Sequence, residues 1–211
     1  MKIENVDSLI FDMDGTLWDA MKSYAEVWNV AFKEYGLDIT VNEDVLKTGM
    51  GMNIGDIMEI LSKRYGFKIS ADTFIARVDE IEDELLPKIG GVLYPGVKAG
   101  LEHLSNKYRL FLLSNCGAQG LPNFMEFTGT KRYFTDYLSY GMREQSKADN
   151  LTYLCERHGL KNPVYVGDTQ SDCNQAHKAG IPFVYASYGF DDCADYDMRI
   201  DGFSELEKYF L

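Results

Sequence analysis

Short apolar runs alternating with helix-length amphipathic segments constrain this chain of 211 residues more than any other feature. The runs 6–11 (VDSLIF), 108–113 (YRLFLL), 137–140 (YLSY), 163–167 (PVYVG) and 182–186 (PFVYA) predict strands. Several are apolar throughout rather than alternating, as strands covered on both faces are. Helices are expected over 96–107, 118–126, 147–159, 171–180 and 203–210. The stop after the fourth is explicit, because Ala179-Gly180-Ile181-Pro182 supplies a glycine cap and then a proline. Strand, crossover helix, strand is the unit of a parallel sheet. The expected class is therefore α/β, a doubly wound Rossmann-like sheet.

Residues 18–88 break this rhythm. They hold helix-like stretches at 19–36, 43–48, 53–65 and 71–86 and no convincing strand, with Asp19 a candidate N-cap for the first and Ser70 or Asp72 for the last. This block reads as an inserted all-helical cap domain with its own small core. The main domain then comprises 1–17 and 89–211, and Gly90, Gly91 and Tyr94-Pro95-Gly96 mark the return to it.

Charge narrows the partners. The formal net charge is -12, and 17–88 and the remainder each sum to -6, so the acid is spread over the surface and forms no tail. Such a field repels nucleic acid and anionic membranes, and neither is expected as a partner. No run approaches 18 apolar residues, and MKIENVDSLIF carries no cleavable leader pattern. Cys116, Cys155, Cys173 and Cys193 have no metal-ligand spacing and read as free thiols. A cytoplasmic location is the expectation; oligomeric state is not encoded in any pattern here.

Four motifs fall at the predicted strand ends, where open parallel sheets bind ligands. The first is Asp12-Met13-Asp14-Gly15-Thr16. Two carboxylates one residue apart on extended chain share a side, so one can attack phosphorus while the other protonates a leaving oxygen. Gly15 permits a sharp turn, and Thr16 offers a hydroxyl to a phosphate or to Asp14. The second is Ser114-Asn115, neutral donors for phosphoryl oxygens or a plain turn. The third is Lys147, able to orient a carboxylate and offset phosphoryl charge or simply a solvated lysine, with Arg143 as competitor. The fourth is Gly167-Asp168-Thr169-Gln170-Ser171-Asp172. Asp168 and Asp172 suit a hard, oxygen-liganded cation such as Mg²⁺; the plainer alternative is Asp168 or Ser171 capping the next helix.

Taken in order, DxDGT, SN, K and GDxxxD with a helical block after the first resemble the haloacid dehalogenase-like hydrolase superfamily, in the phosphoglycolate phosphatase and β-phosphoglucomutase-like branch with a helical cap. The resemblance covers nearly the whole chain. It implies Asp12 as a nucleophile forming an aspartyl-phosphate and Asp14 as general acid/base. It also implies Mg²⁺ held by Asp12, Asp168, Asp172 and the backbone carbonyl at Asp14. Ser114, Asn115 and Thr16 would bind the phosphoryl group, and Lys147 would anchor the nucleophile. Asp12 would raise the affinity of Asp14 for its proton.

The implied substrate is a small phosphorylated metabolite. Phosphoglycolate-like acids, sugar phosphates and nucleoside monophosphates all fit, and the resemblance favours the first. Dehalogenase and phosphonatase chemistry are disfavoured, because those branches depart from a metal-binding Asp at position 14. A phosphoglucomutase-like transfer and a non-catalytic, phosphorylatable signalling or binding protein remain as alternatives. Within the cap, Thr48–Gly55 is glycine-rich but misses dinucleotide spacing and follows no strand, so it reads as an interhelical turn bearing Met50 and Met52. Trp18 and Trp28 read as packing residues, and His103, His158 and His177 as ordinary helix residues.

Overall fold

The computed structural model describes residues 3–47 and 54–211. Most of the Thr48–Gly55 stretch, including Met50 and Met52, lies outside them. The chain forms two compact units, one of Met1–Asp19 with Val92–Leu211 and one of Ala20–Gly91.

The first unit opens with β1 (Ser8–Phe11) and a two-residue strand β2 (Trp18–Asp19). The second unit follows: α1 (Met21–Glu34), α2 (Glu43–Lys47), α3 (Ile54–Tyr65) and α4 (Ala71–Ile89). The chain then re-enters the first unit through β3 (Val92–Leu93), α5 (Val97–Ser105), β4 (Arg109–Ser114) and α6 (Gly120–Thr128). After these come β5 (Phe134–Ser139), α7 (Tyr140–Arg143), α8 (Lys147–His158) and β6 (Pro163–Gly167). Last are α9 (Gln170–Lys178), β7 (Phe183–Ala186), β8 (Met198–Ile200) and α10 (Glu205–Phe210).

The main sheet runs β5-β4-β1-β6-β7-β8, and every pair in it is parallel. The chain leaves β1 toward β4 on one side and later crosses to β6 on the other. β1 is thus the switch point at which such sheets open a crevice. Burial explains the apolar runs: Leu9, Ile10 and Phe11 are each 0% exposed. Ile10, Phe111, Leu113 and Tyr165 face one layer with Leu151 and Leu154 of α8 and Ala176 of α9. Phe11 turns to the opposite face, its ring 5.8 Å from that of Phe203. In the helical unit, Trp28, Phe32 and Phe74 form an aromatic core, the Phe32 and Phe74 centroids 4.7 Å apart.

Several local expectations are corrected. Asp19 does not cap α1; it pairs with Val92 in the ribbon β2–β3, and α1 starts after Ala20 without a side-chain cap. Ser70 does cap α4, accepting from the Thr73 N–H, and that helix continues past Pro87 to Ile89. β5 begins at Phe134, three residues before the expected start, and β2, β3 and β8 were not expected. Strands of two or three residues are too short to carry a period in the sequence.

Asp7 fixes the entry to β1. Its Oδ2 accepts the Lys161 N–H at 2.7 Å, its Oδ1 the Ser8 hydroxyl at 2.6 Å, and its own N–H donates to the Asn162 carbonyl at 3.2 Å. Burial works to raise its pKa, but the hydrogen bonds donated to its carboxylate and the Arg109 charge hold it below the usual range. A depressed carboxylate contributes stability above its unfolded pKa, ~3.9, and loses it as pH falls through the folded value. Urea unfolding of wild type and Asp7→Asn should therefore show a gap in midpoint at neutral pH that closes below about pH 4. Parallel curves down to acid would contradict this role.

Candidate functional site

Register assembles the site. Phe11 pairs with Leu112 on one side and Val166 on the other, so the next residues, Asp12, Leu113 and Gly167, lie abreast at the sheet's C-terminal edge. The Asp12 N–H donates to the Val166 carbonyl at 2.9 Å, extending the ladder one step beyond the strand. Asp168 follows on β6, and Ser114 closes β4.

Lys147 is the first residue of α8 and only 7% exposed. Its Nζ donates to Oδ1 of Asp12 at 3.1 Å and to Oδ1 of Asp172 at 2.5 Å. Asp12, Asp168 and Asp172 are all buried, and each offers a carboxylate oxygen within 4.8 Å of the others. Burial, reinforced by Asp172 and Asp14 and opposed by Lys147, pushes Asp12 up to about 7. Burial, then Asp172 and Asp12, carries Asp168 well above the usual carboxylate range. For Lys147, burial alone would lower the pKa, but the two aspartates outweigh it and raise it. One ammonium does not balance three buried carboxylates. The cluster favours a further positive charge, and its donors are hard oxygens of the kind a magnesium ion takes. The residues fit that ion.

Asp168 is held from two sides. Thr16, fully buried, donates its hydroxyl to Oδ1 at 3.3 Å, and the Phe190 N–H donates to Oδ2 at 2.8 Å. Thr16 was expected to reach a phosphate or Asp14; its hydroxyl serves Asp168 instead, because the turn after Asp14 swings it under the neighbouring strand end. Gly15 makes that turn at φ +78°, and a Cβ there would sit 2.0 Å from Asp168 Oδ2.

Asp172 lies on the first turn of α9, in a reciprocal cap with Thr169. The Asp172 N–H donates to the Thr169 hydroxyl, while that hydroxyl (2.7 Å) and the Thr169 N–H (3.2 Å) donate to Asp172 Oδ2. Thr169 is the cap, not Asp168 or Ser171. The Tyr165 hydroxyl donates to Asp172 Oδ1 at 3.3 Å.

Asp14 is half-buried and accepts the Trp18 indole N–H on Oδ1 at 2.9 Å. Ser114 accepts the Cys116 N–H at 3.3 Å, which leaves its own hydroxyl proton to give; Asn115 is exposed beside it. Arg143 does not compete with Lys147: it stacks 3.8 Å from the Tyr153 ring centroid and bonds Asn150. His103, His158 and His177 pair with Glu207, Asp136 and Asp197, away from the cluster.

Sequence reasoning missed Tyr165, Gly189, Phe190 and the hydrogen bond from Trp18 to Asp14. Tyr165 was hidden in a strand, and Gly189-Phe190 belong to a loop with no motif. The Asp14–Trp18 spacing of four was the one signal available.

A family model for haloacid dehalogenase-like hydrolases matches residues 9–186. The chain is 27% identical to a phosphoglycolate phosphatase of Aliivibrio fischeri over 220 residues, covering 99% of this chain and 96% of that one. To the phosphoglycolate phosphatase of Pasteurella multocida it is 31% identical over 196 residues, covering 86% and 85%. A solved structure of a predicted phosphoglycolate phosphatase from Haemophilus somnus superposes with a TM-score of 0.81 at 26% identity, covering 96% and 97%. The chain belongs to the haloacid dehalogenase-like hydrolase family. It is an enzyme of that family's Rossmann-like fold, and among the described residues no helix is long and apolar enough to cross a membrane.

Gly189 tests how tightly the Asp168 carboxylate is held. A Cβ there would lie 2.2 Å from the Cβ of Asp168 and 2.6 Å from the Gly15 carbonyl. Gly189→Ala should lower stability by ~1–3 kcal/mol in urea unfolding, through overpacking against backbone and a buried side chain. An unchanged midpoint would show that the loop yields freely.

Proposed function

We propose that this chain is a Mg²⁺-dependent phosphatase that hydrolyses a small phosphorylated metabolite through an aspartyl-phosphate on Asp12. The observation that carries this reading is the buried Lys147 ammonium bonded to one oxygen of Asp12, beside Asp168 and Asp172. An ammonium on Oδ1 holds the carboxylate in one orientation and opposes the effect of burial by favouring the ionised form of the nucleophile.

Asp12 attacks phosphorus; its oxygen–phosphorus bond forms as the bond to the leaving alcohol breaks. Asp14 gives its proton to the departing oxygen. Water then attacks the same phosphorus, Asp14 takes the water's proton, and the Asp12 carboxylate departs from inorganic phosphate. Ser114 and Asn115 donate to the phosphoryl oxygens. Asp12, Asp168, Asp172 and the Asp14 carbonyl are the groups that would hold the magnesium. When bound, the metal offsets negative charge on the carboxylates and the transferring phosphoryl group. Thr16 acts on the substrate only indirectly, through Asp168. The relatives' name supports phosphoglycolate, a small dianionic acid ester, as the first substrate to try.

Phosphate release should be measured from phosphoglycolate, sugar phosphates, nucleoside monophosphates and p-nitrophenyl phosphate, with Mg²⁺ or with EDTA. Turnover should need the metal and fall by ~10⁴-fold or more in Asp12→Asn, as when a nucleophile is removed. Metal-independent turnover, or an active Asp12→Asn, would overturn the reading. Isomerisation of a sugar phosphate without net phosphate release would replace it with a mutase.

A further inference from the structure

The link between Trp18 and Asp14 has geometry beyond what packing needs. Trp18 is 1% exposed, its ring edge-on to Phe124 at 4.9 Å and near Phe127 at 6.4 Å. Its backbone is fixed as well. The Trp18 carbonyl accepts the Gly15 N–H at 2.9 Å, the Met13 carbonyl accepts the N–H groups of Leu17 (2.8 Å) and Trp18 (3.3 Å), and Trp18 pairs with Leu93. Asp14 and Trp18 thus close a five-residue loop, bridged through the backbone and again by the indole N–H on Asp14 Oδ1 at 2.9 Å. A rigid, buried donor therefore holds one particular oxygen of a half-buried carboxyl.

We propose that Trp18 is a positioning residue for proton transfer to the leaving group; this rests on the hydrolase reading above, in which Asp14 is the general acid. An oxygen that accepts an N–H hydrogen bond is the disfavoured place for the acid's own proton, which lies instead on Oδ2. The indole also fixes the carboxyl plane, so that the proton is delivered along one direction. A buried indole N–H needs an acceptor, but a backbone carbonyl would satisfy a purely structural tryptophan equally well. Here the acceptor is the group to which the mechanism assigns the proton. In the steps that kcat/KM reports, the arrangement predicts a defect that grows with the need to protonate the leaving oxygen.

The experiment follows kcat/KM across phosphate monoesters whose leaving groups run from p-nitrophenol through phenol to simple alcohols, for wild type and Trp18→Phe. This parameter reports the steps through leaving-group departure and excludes hydrolysis of the aspartyl-phosphate, common to all esters. A poorly leaving alkoxide needs the acid far more than p-nitrophenolate does, and general acids contribute ~10²–10⁴-fold. The loss in Trp18→Phe should grow with leaving-group basicity and be about tenfold or more larger for alkyl than for p-nitrophenyl phosphate. A uniform loss across the series, or none, would overturn the proposal and leave Trp18 a packing residue. Should Trp18→Phe fail to fold, 3-benzothienylalanine at position 18 keeps the bicyclic shape and deletes only the N–H; the same two outcomes decide. Wild-type protein that hydrolyses none of these esters would remove the hydrolase reading and this inference with it, a result distinct from a flat series.

Discussion

One ammonium group, that of Lys147, stands between two buried carboxylates, and the arrangement of the sheet's C-terminal edge depends on it. Burying three aspartates so close together costs free energy that only paired charge and directed hydrogen bonds offset. Lys147 supplies charge to Asp12 and Asp172; Thr169 and Tyr165 supply bonds to Asp172; Thr16 and the Phe190 N–H supply them to Asp168. Among the described residues no buried side-chain nitrogen or oxygen lacks a hydrogen-bond partner. Even so, Asp12 and Asp168 stay raised. That residual imbalance is the physical reason the site suits a divalent cation.

The fold serves this cluster by register and by missing side chains. Three adjacent strands end together, so residues far apart in sequence come level without long side chains to bridge them. Gly15 and Gly189 let two backbone segments close on Asp168 where any Cβ would collide with it. The apolar strands beneath are fully buried and give the polar edge a rigid base.

Legibility in the sequence followed length scale. The sheet strands with apolar runs and the long helices could be read because burial on both faces and a helical period each leave a pattern over many residues. β8 and the β2–β3 ribbon were too short to leave one. At the site, Asp12, Asp14, Lys147, Asp168 and Asp172 were readable as motifs because each sits at a strand end or helix start. Thr16 was singled out in the sequence, but its hydrogen bond to Asp168 was not foreseen, since a turn's direction depends on the strand beside it. Gly189, Phe190 and Tyr165 were invisible: they act through backbone closeness or from within an apolar run, and neither has a signature in one sequence.

The central claim is covalent chemistry at Asp12. Its most direct test is a rapid acid quench of the enzyme with ³²P-labelled substrate and Mg²⁺, followed by peptide mapping of the protein-bound label. The account predicts an acid-stable, hydroxylamine-labile phosphate on the peptide carrying Asp12, formed and lost at rates compatible with turnover and absent in Asp12→Asn. Turnover with no label on the protein at any time, or label on another residue, would contradict it.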